Sequence, residues 1–305
     1  MLHNSIEHRL ETVSIRSSDG MAYAVFIPSR GGTMASLTLL GRQGFRQLLY
    51  QHDFFWDQQI TELPGAWPFC FPVCARLERD RKPGAYYYDG TVYELPIHGF
   101  AWQLPWTVIA VNSHSITLRL NDNEYTRLHY PFSFSIELCY VIESKRLLCY
   151  QVYSNRGDKP MPYNAGFHPY FLTPPVGQGK EQVLLDYYPV RRFVYNRQMT
   201  CLMGETTLFD VPIRITDPTI NEQLTQVTDK EIRLLYPNGD TIQMTAEGED
   251  GTDLFPYVQL YTMSDKPFIC VEPWMGYPNA MNSVQGMRWL APYEQERGIL
   301  TLQLN

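Results

Sequence analysis

Apolar residues recur at every second position along several stretches of this chain, and this pattern constrains the fold more than any other feature of the sequence. Residues 132–142 place six side chains on one face of an extended segment: Phe132, Phe134, Ile136, Leu138, Tyr140 and Ile142. The same alternation runs through residues 116–120 and 300–304. Successive side chains of a β-strand point to opposite faces, so this period predicts strands that bury one face in a core.

Turn signals separate the predicted strands. The dipeptides Asp89-Gly90 and Asn238-Gly239 are each flanked by strand-forming residues, and both tolerate the positive φ that tight hairpins need. The 22 prolines and 20 glycines are spread along the chain, and no amphipathic pattern of three helical turns occurs. We therefore predict an all-β fold, a large antiparallel β-sandwich that forms one domain over residues 1–305.

Charge and cysteine content exclude several classes of partner. The net charge is −7 and no run of lysine or arginine occurs, so a nucleic-acid ligand is not expected. The six cysteines form no C-x-x-C pair, which indicates reduced thiols of a cytoplasmic protein and argues against a zinc site. Without an N-terminal signal pattern or a long apolar run, no membrane association is expected, and the protein is predicted to be a cytoplasmic monomer.

Aromatic residues make up 14% of the chain, with 21 Tyr, 15 Phe and 6 Trp. Most of these rings belong in the core of a sheet protein of this size. Some of them also suit a sugar site, because the apolar faces of pyranose rings pack on aromatic rings while the hydroxyls seek hydrogen bonds.

Three polar residues interrupt apolar segments. His168 precedes Pro169, which restricts the backbone of His168 to extended conformations. Glu272 ends the apolar stretch of residues 268–271, and His98 lies within residues 95–100. Taken singly, each has a structural explanation as a hydrogen-bonded core residue or an exposed strand end. Together, His168 and Glu272 are candidates for an acid–base couple.

These residues lie in segments that resemble the aldose 1-epimerase (galactose mutarotase) family. Five segments carry the resemblance: residues 31–37, residues 68–76 ending in Arg76, residues 88–101 with a His-Gly-Phe string, residues 164–171 around His168, and residues 271–274 around Glu272. Their order and spacing are more specific than any one of them. The resemblance implies a galactose mutarotase-like supersandwich that acts on a small-molecule sugar.

The resemblance also implies roles for individual residues. His168 is the general acid and Glu272 the general base, while Arg76 and His98 hold sugar oxygens. The family's usual Asp matches Asn221 here. Two tryptophans add to this pattern: Trp274 adjoins Glu272 as a candidate sugar contact, and Trp102 stands where relatives often carry Arg.

Anomer exchange requires one group to take the proton of the anomeric hydroxyl while another protonates the ring oxygen. The reaction needs no cofactor, metal or covalent intermediate. We expect His168 to be protonated, helped by a nearby carboxylate, and Glu272 to be ionised, helped by Arg76.

Three other functions remain open from the sequence. A hexose 6-phosphate mutarotase would need a cationic cradle, for which Arg79, Arg81 and Lys82 are available. A non-catalytic sugar-binding protein is favoured by Asn221 at an Asp position. A glycosidase would need a second carboxylate, and Asp253 or Glu249 are the candidates.

Overall fold

A computed structural model describes residues 10–57 and 59–305. The strands of the first half of the described chain are β1 (Val13–Arg16), β2 (Ala22–Ile27), β3 (Thr33–Gly41), β4 (Gly44–Gln47), β5 (Phe69–Cys70), β6 (Glu78–Arg79), β7 (Lys82–Pro83), β8 (Ala85–Tyr88), β9 (Thr91–Glu94), β10 (Thr107–Val111), β11 (Ser115–Asn121), β12 (Phe134–Glu143) and β13 (Arg146–Asn155).

The strands of the second half are β14 (Met161–Tyr163), β15 (Gly166–Phe167), β16 (Tyr170–Leu172), β17 (Leu184–Asp186), β18 (Pro189–Tyr195), β19 (Leu202–Glu205), β20 (Ile213–Arg214), β21 (Gln223–Val227), β22 (Ile232–Leu235), β23 (Thr241–Gly248), β24 (Tyr257–Tyr261), β25 (Phe268–Trp274), β26 (Arg288–Leu290) and β27 (Gln295–Leu304). Within the described ranges, helix is confined to α1 (Glu124–His129), α2 (Ala280–Ser283) and the 3₁₀ turn Lys180–Gln182. None of these helices is long and apolar enough to cross a membrane.

Two large antiparallel sheets dominate the architecture. One has nine strands in the order β10-β11-β12-β13-β27-β23-β22-β17-β20. The other has eight, in the order β19-β18-β21-β24-β25-β15-β5, with β16 also paired to β25. A four-stranded sheet, β1-β2-β3-β4, and three two-stranded pairs complete the fold of the described residues. The prediction of an all-β, antiparallel fold is confirmed.

One apolar core contains residues from both large sheets. Leu138 and Leu302 of the nine-stranded sheet belong to it together with Val258, Ile269 and Val271 of the eight-stranded sheet. Alternate residues of β24 and β25 point the other way, to the outer face of the eight-stranded sheet, where smaller buried clusters form. That second face is therefore covered by loops instead of being left to solvent.

Several individual elements agree with the sequence predictions. The alternating stretch of residues 132–142 forms most of β12, and its partner β13 follows through a short turn. Asp89-Gly90 connects β8 to β9, and Asn238-Gly239 lies between β22 and β23. These are the places where hydrophobic period and turn chemistry act together, so local sequence is sufficient to specify the pairing.

The segment that carries His98 is held by a close backbone approach at Gly99. His98 and Gly99 both have positive φ, +61° and +71°, and Gly99 bridges Phe71 in parallel. A Cβ atom on Gly99 would lie 2.1 Å from the carbonyl oxygen of Phe71. Only glycine fits this contact, because the opposing atom is backbone and cannot rotate away.

We predict that Gly99→Ala lowers the free energy of unfolding by more than about 3 kcal/mol, since backbone strain and a steric clash add together. Gly90→Ala is the matched control: Gly90 also has positive φ (+83°), but no atom of the described residues lies within 4 Å of the point where its Cβ would stand. This control should cost only about 1–2 kcal/mol. Urea unfolding of both variants measures the difference, and equal losses would contradict the steric explanation.

Candidate active site

A cavity of about 510 Å³ opens on the outer face of the eight-stranded sheet. Its wall includes five of the six predicted site residues, namely Arg76, His98, His168, Glu272 and Trp274. The volume lies within the range of about 300–1,000 Å³ that is common for small-molecule sites. The chain therefore gathers residues from distant segments around one cavity.

Strand β25 presents Glu272 to this cavity by simple alternation. Ile269 and Val271 face the main core, so Cys270, Glu272 and Trp274 face the opposite side. The strand continues through Pro273 to Trp274, with Glu272 opposite Gln259 of β24. The sequence analysis places Glu272 at the end of the apolar stretch, but β25 continues for two more residues, to Trp274. Both faces of this strand are buried, so its end is not marked by a change to exposed residues.

His168 lies between β15 and β16 and faces Glu272. Its backbone N–H donates to the carbonyl of Pro68 at 3.0 Å, and its ring stacks on Tyr170 with centroids 4.8 Å apart. His168 Nε2 is 3.3 Å from Glu272 Oε2, with both side chains at most 5% exposed. The predicted pair, about a hundred residues apart along the chain, meets in space.

His98 is positioned as a hydrogen-bond donor. Its Nδ1 accepts from the backbone N–H of Ala75 at 3.1 Å, which leaves the proton of the neutral ring on Nε2. Burial, followed by the proximity of His168, lowers the pKa of His98 well below its usual value, so the ring is neutral. The ring meets those of His168 and Trp274 edge-on, with centroids 5.0 and 5.7 Å away.

The cavity also contains polar residues that sequence reasoning missed. Tyr195 donates to Gln259 Oε1 at 2.8 Å, and Gln259 Nε2 lies 3.5 Å from Glu222 Oε2. All three line the cavity, as does Arg76, whose Nη1 is 3.7 Å from the sulfur of Met199. Cross-strand pairing carries Gln259 to this position, and no local motif marks it.

Asn221, in contrast, does not reach the cavity. Its Oδ1 accepts from the backbone N–H of Thr262 at 3.0 Å, and the neighbouring Glu222, with φ of +53°, lines the cavity instead. Asn221, predicted as a sugar contact, therefore does not line the cavity, whereas the next residue, Glu222, does. The positive φ at Glu222 turns the chain so that the carboxyl group points inward, a local reversal that no regular period predicts.

Trp102 also lies away from the cavity wall. Its side chain is buried, and its indole N–H donates to the carbonyl of Ile97 at 3.2 Å. It therefore packs behind the segment that carries His98, as a structural residue.

Burial determines the charge states of the pair. It raises the pKa of Glu272 well above its ordinary value of 4.5, and the nearby Glu222 carboxyl raises it further. Burial lowers the pKa of His168 to about 3. Burial therefore favours the neutral forms of both groups over the expected imidazolium and carboxylate. In the neutral pair, one proton is on a ring nitrogen of His168 and one is on the carboxyl group of Glu272, whereas in the ion pair both are on the imidazolium.

Three buried polar atoms at this site lack a hydrogen-bond partner among the residues that the structure describes: His168 Nδ1, Glu272 Oε2 and Trp274 Nε1. The 3.3 Å approach of Glu272 to His168 is not aligned as a hydrogen bond. Buried polar atoms without partners are uncommon because each costs free energy of folding.

His168, Cys270 and Glu272 also offer one ligand atom each within 4.8 Å of one another, a combination that zinc accepts. A cysteine that binds a metal does so as a thiolate, and burial raises the pKa of the Cys270 thiol well above its usual value. Burial alone therefore favours the neutral thiol at Cys270.

A buried lysine holds one wall of the cavity. Lys180 is 1% exposed, and its ammonium group donates to Thr262 Oγ1 at 3.1 Å and to the carbonyls of Met263 and Lys266 at 2.6 and 2.5 Å. Asn221 binds the same loop from another side. Met263 and Lys266 both line the cavity, so Lys180 and Asn221 determine the position of this wall.

Comparison with known proteins identifies relatives along most of the chain. A family model described as aldose 1-epimerase matches residues 13–295. The chromosomal protein LacX of Lactococcus lactis subsp. lactis is 25% identical over 245 residues, which cover 75% of this chain and 80% of LacX.

Solved structures share the fold. The Slr1438 protein from Synechocystis sp. PCC 6803 has a TM-score of 0.83 and 26% identity, with 97% of this chain and 96% of that chain covered. The galactose 1-epimerase from Lactobacillus acidophilus NCFM has a TM-score of 0.72 and 15% identity, with coverage of 97% and 99%. The predicted galactose mutarotase-like architecture is confirmed.

We predict that Lys180→Met lowers the free energy of unfolding by about 1–3 kcal/mol, because three buried acceptors lose their donor. Amide hydrogen exchange should also accelerate in residues 262–266. The control is Lys159→Met, which removes an exposed pair with Asp89 and should leave the free energy of unfolding nearly unchanged, because solvent screens exposed pairs. Unchanged exchange in the loop would show that Lys180 does not hold this wall.

We also predict that Glu272→Gln stabilises the free protein increasingly as the pH rises. The pKa of Glu272 is higher in the folded state than its ordinary value of 4.5, so the folded protein binds more protons. The stability that this group contributes is present below 4.5 and is lost as the pH rises through the folded-state pKa. Glutamine has no proton to lose.

Melting temperatures of the parent and the variant between about pH 5 and pH 8 test this prediction. The difference should widen with pH in favour of Glu272→Gln. The exposed Glu249 supplies the control, Glu249→Gln, which should show no such trend. A pH-independent difference for Glu272→Gln would mean that burial does not perturb this carboxyl group.

Proposed function

The chain belongs to the aldose 1-epimerase family, and on this basis we propose that it interconverts the α and β anomers of an aldose by acid–base ring opening. The observation that carries the proposal is the 3.3 Å approach of His168 Nε2 to Glu272 Oε2 in the wall of a cavity of ligand size. A small-molecule sugar is the partner that this function requires.

In this mechanism the Glu272 carboxylate takes the proton of the anomeric hydroxyl while the His168 imidazolium protonates the ring oxygen. The bond between C1 and the ring oxygen breaks, and a free aldehyde forms. Rotation about C1–C2 presents the other carbonyl face, and the ring closes with both proton transfers reversed. The two side chains end each cycle as they began.

Desolvation assists both transfers. A depressed pKa makes the His168 imidazolium a strong acid toward the weakly basic ring oxygen, and a raised pKa makes the Glu272 carboxylate a stronger base. Formation of this reactive pair from the neutral pair requires transfer of one proton from Glu272 to His168. The surrounding polar groups, His98 Nε2–H, Arg76, Gln259 and Glu222, are available for the remaining hydroxyls.

Charge in the cavity favours a free aldose over a hexose 6-phosphate. Among the described residues, the cations in its wall are Arg76 and Lys266, against four carboxyl groups from Asp53, Glu62, Glu222 and Glu272. The three cations considered from the sequence do not line it. Arg79 pairs with Asp80 and Lys82 with Glu94, both on the surface, and Arg81 lies in the turn between β6 and β7.

The residues that suggested a binding protein or a glycosidase from the sequence do not line the cavity. Asn221 suggested a missing carboxylate, yet Glu222 lines the cavity in its place, so the feature that favoured a non-catalytic binding protein is gone. A glycosidase would need a second carboxylate beside the bond. Asp253 pairs with Lys230, Glu249 faces Arg297 at the surface, and neither lines the cavity.

We predict that Glu272→Gln and His168→Asn each lower the rate of anomer exchange by about 10²–10⁴-fold while the protein remains folded. Polarimetry or exchange NMR of freshly dissolved α-anomers measures the rate. His114→Asn and Glu249→Gln change the same residue types at exposed positions and should retain parental rates. Parental activity in His168→Asn or Glu272→Gln would remove that residue from its assigned role.

A further inference from the structure

An aromatic wall extends away from the catalytic pair. His168 stacks on Tyr170 with centroids 4.8 Å apart, Tyr170 meets His52 edge-on at 5.8 Å, and His52 stacks on Phe54 at 5.2 Å with nearly parallel planes. All four rings line the same cavity. An aromatic ring can pack on the apolar face of a pyranose, and His52 and Phe54 follow Tyr170 in this series, one and two contacts beyond the ring that stacks on His168.

The outer part of the wall is held in place by specific contacts. His52 Nδ1 lies 3.4 Å from the hydroxyl of Tyr50, and its backbone N–H donates to the carbonyl of Pro64 at 2.9 Å. The ring of His52 also meets Phe268 edge-on at 5.7 Å. Phe54 is only half-buried, so a ligand can reach its face.

Polar groups accompany these outer rings. Thr61, Glu62 and Lys266 line the cavity with them, and together they offer a hydroxyl, a carboxyl and an ammonium group. Such a mixture of donors and acceptors suits sugar hydroxyls. A phosphate would meet one lysine together with the carboxyl groups of Asp53 and Glu62.

We propose that the cavity contains a second carbohydrate subsite, formed by His52, Phe54, Glu62 and Lys266, and that the preferred substrate is a reducing disaccharide. This inference rests on the proposed anomerase function. The reducing unit occupies the space between His168 and Glu272, and its glycosyl substituent, on a hydroxyl other than the anomeric one, stacks on the outer rings.

The test compares kcat and KM for lactose, maltose and melibiose with those for galactose, glucose and glucose 6-phosphate. At least one disaccharide should show a KM about tenfold below that of its reducing monosaccharide, at similar kcat. Phe54→Ala should raise the disaccharide KM about tenfold and leave the monosaccharide KM unchanged, because only the second unit touches Phe54. Lys266→Met is a second variant with the same expected signature.

Phe45→Ala removes another exposed ring, 63% accessible and outside the cavity, and serves as the matched control. Equal KM values for mono- and disaccharides, or a Phe54→Ala effect on both, would overturn the second subsite. A lower KM for glucose 6-phosphate than for any disaccharide would show that the outer part of the cavity binds a phosphate, and would also overturn the second subsite.

Calorimetric binding separates this inference from the proposed function. Tighter binding of a disaccharide, lost in Phe54→Ala, supports the subsite even if no sugar is anomerised, in which case only the catalytic proposal fails. If monosaccharides are anomerised but no disaccharide binds more tightly than its reducing monosaccharide, the proposed function stands and the second subsite fails.

Discussion

The chemistry that we propose for this molecule depends on desolvation of an imidazole and a carboxyl group that face each other. At the surface, His168 and Glu272 would titrate near their ordinary values and attract each other weakly through water. Inside the cavity wall, burial raises the pKa of Glu272 and lowers that of His168. Each charged form is then more reactive than it would be in water, and the neutral resting pair avoids the free-energy cost of two buried ions.

The fold provides this environment because the eight-stranded sheet is covered on both faces. In β25, Ile269 and Val271 enter the main core while Glu272 and Trp274 enter the second layer. Loops cover that layer, and one of them, residues 262–266, is held by three hydrogen bonds from the ammonium group of Lys180. An ordinary half-exposed sheet would leave the carboxyl group in solvent.

Much of this fold is predictable from local pattern. The period of residues 132–142 and the turn at Asp89-Gly90 specify their elements without tertiary information. The meeting of His168 and Glu272 is not predictable from spacing, and only family resemblance indicates it. The assignment of Asn221 fails because the positive φ at Glu222 shifts the inward-facing residue by one position. The expected charge states leave out burial, which sequence does not quantify and which favours the neutral form of each group.

Positive backbone φ angles and unpaired polar atoms both occur at this site, which bears on what the site is for. His98 and Glu222 hold positive φ, while His168 Nδ1, Glu272 Oε2 and Trp274 Nε1 lack partners within the described part of the chain. Each feature costs folding free energy, and a core selected for stability alone would replace these side chains with apolar ones. An apolar ligand would leave the three atoms unsatisfied. Under the proposed function, a ligand that carries several hydroxyls on one rigid ring suits this site, because it can hydrogen-bond to polar groups of the wall and pack its apolar face on the adjacent aromatic rings.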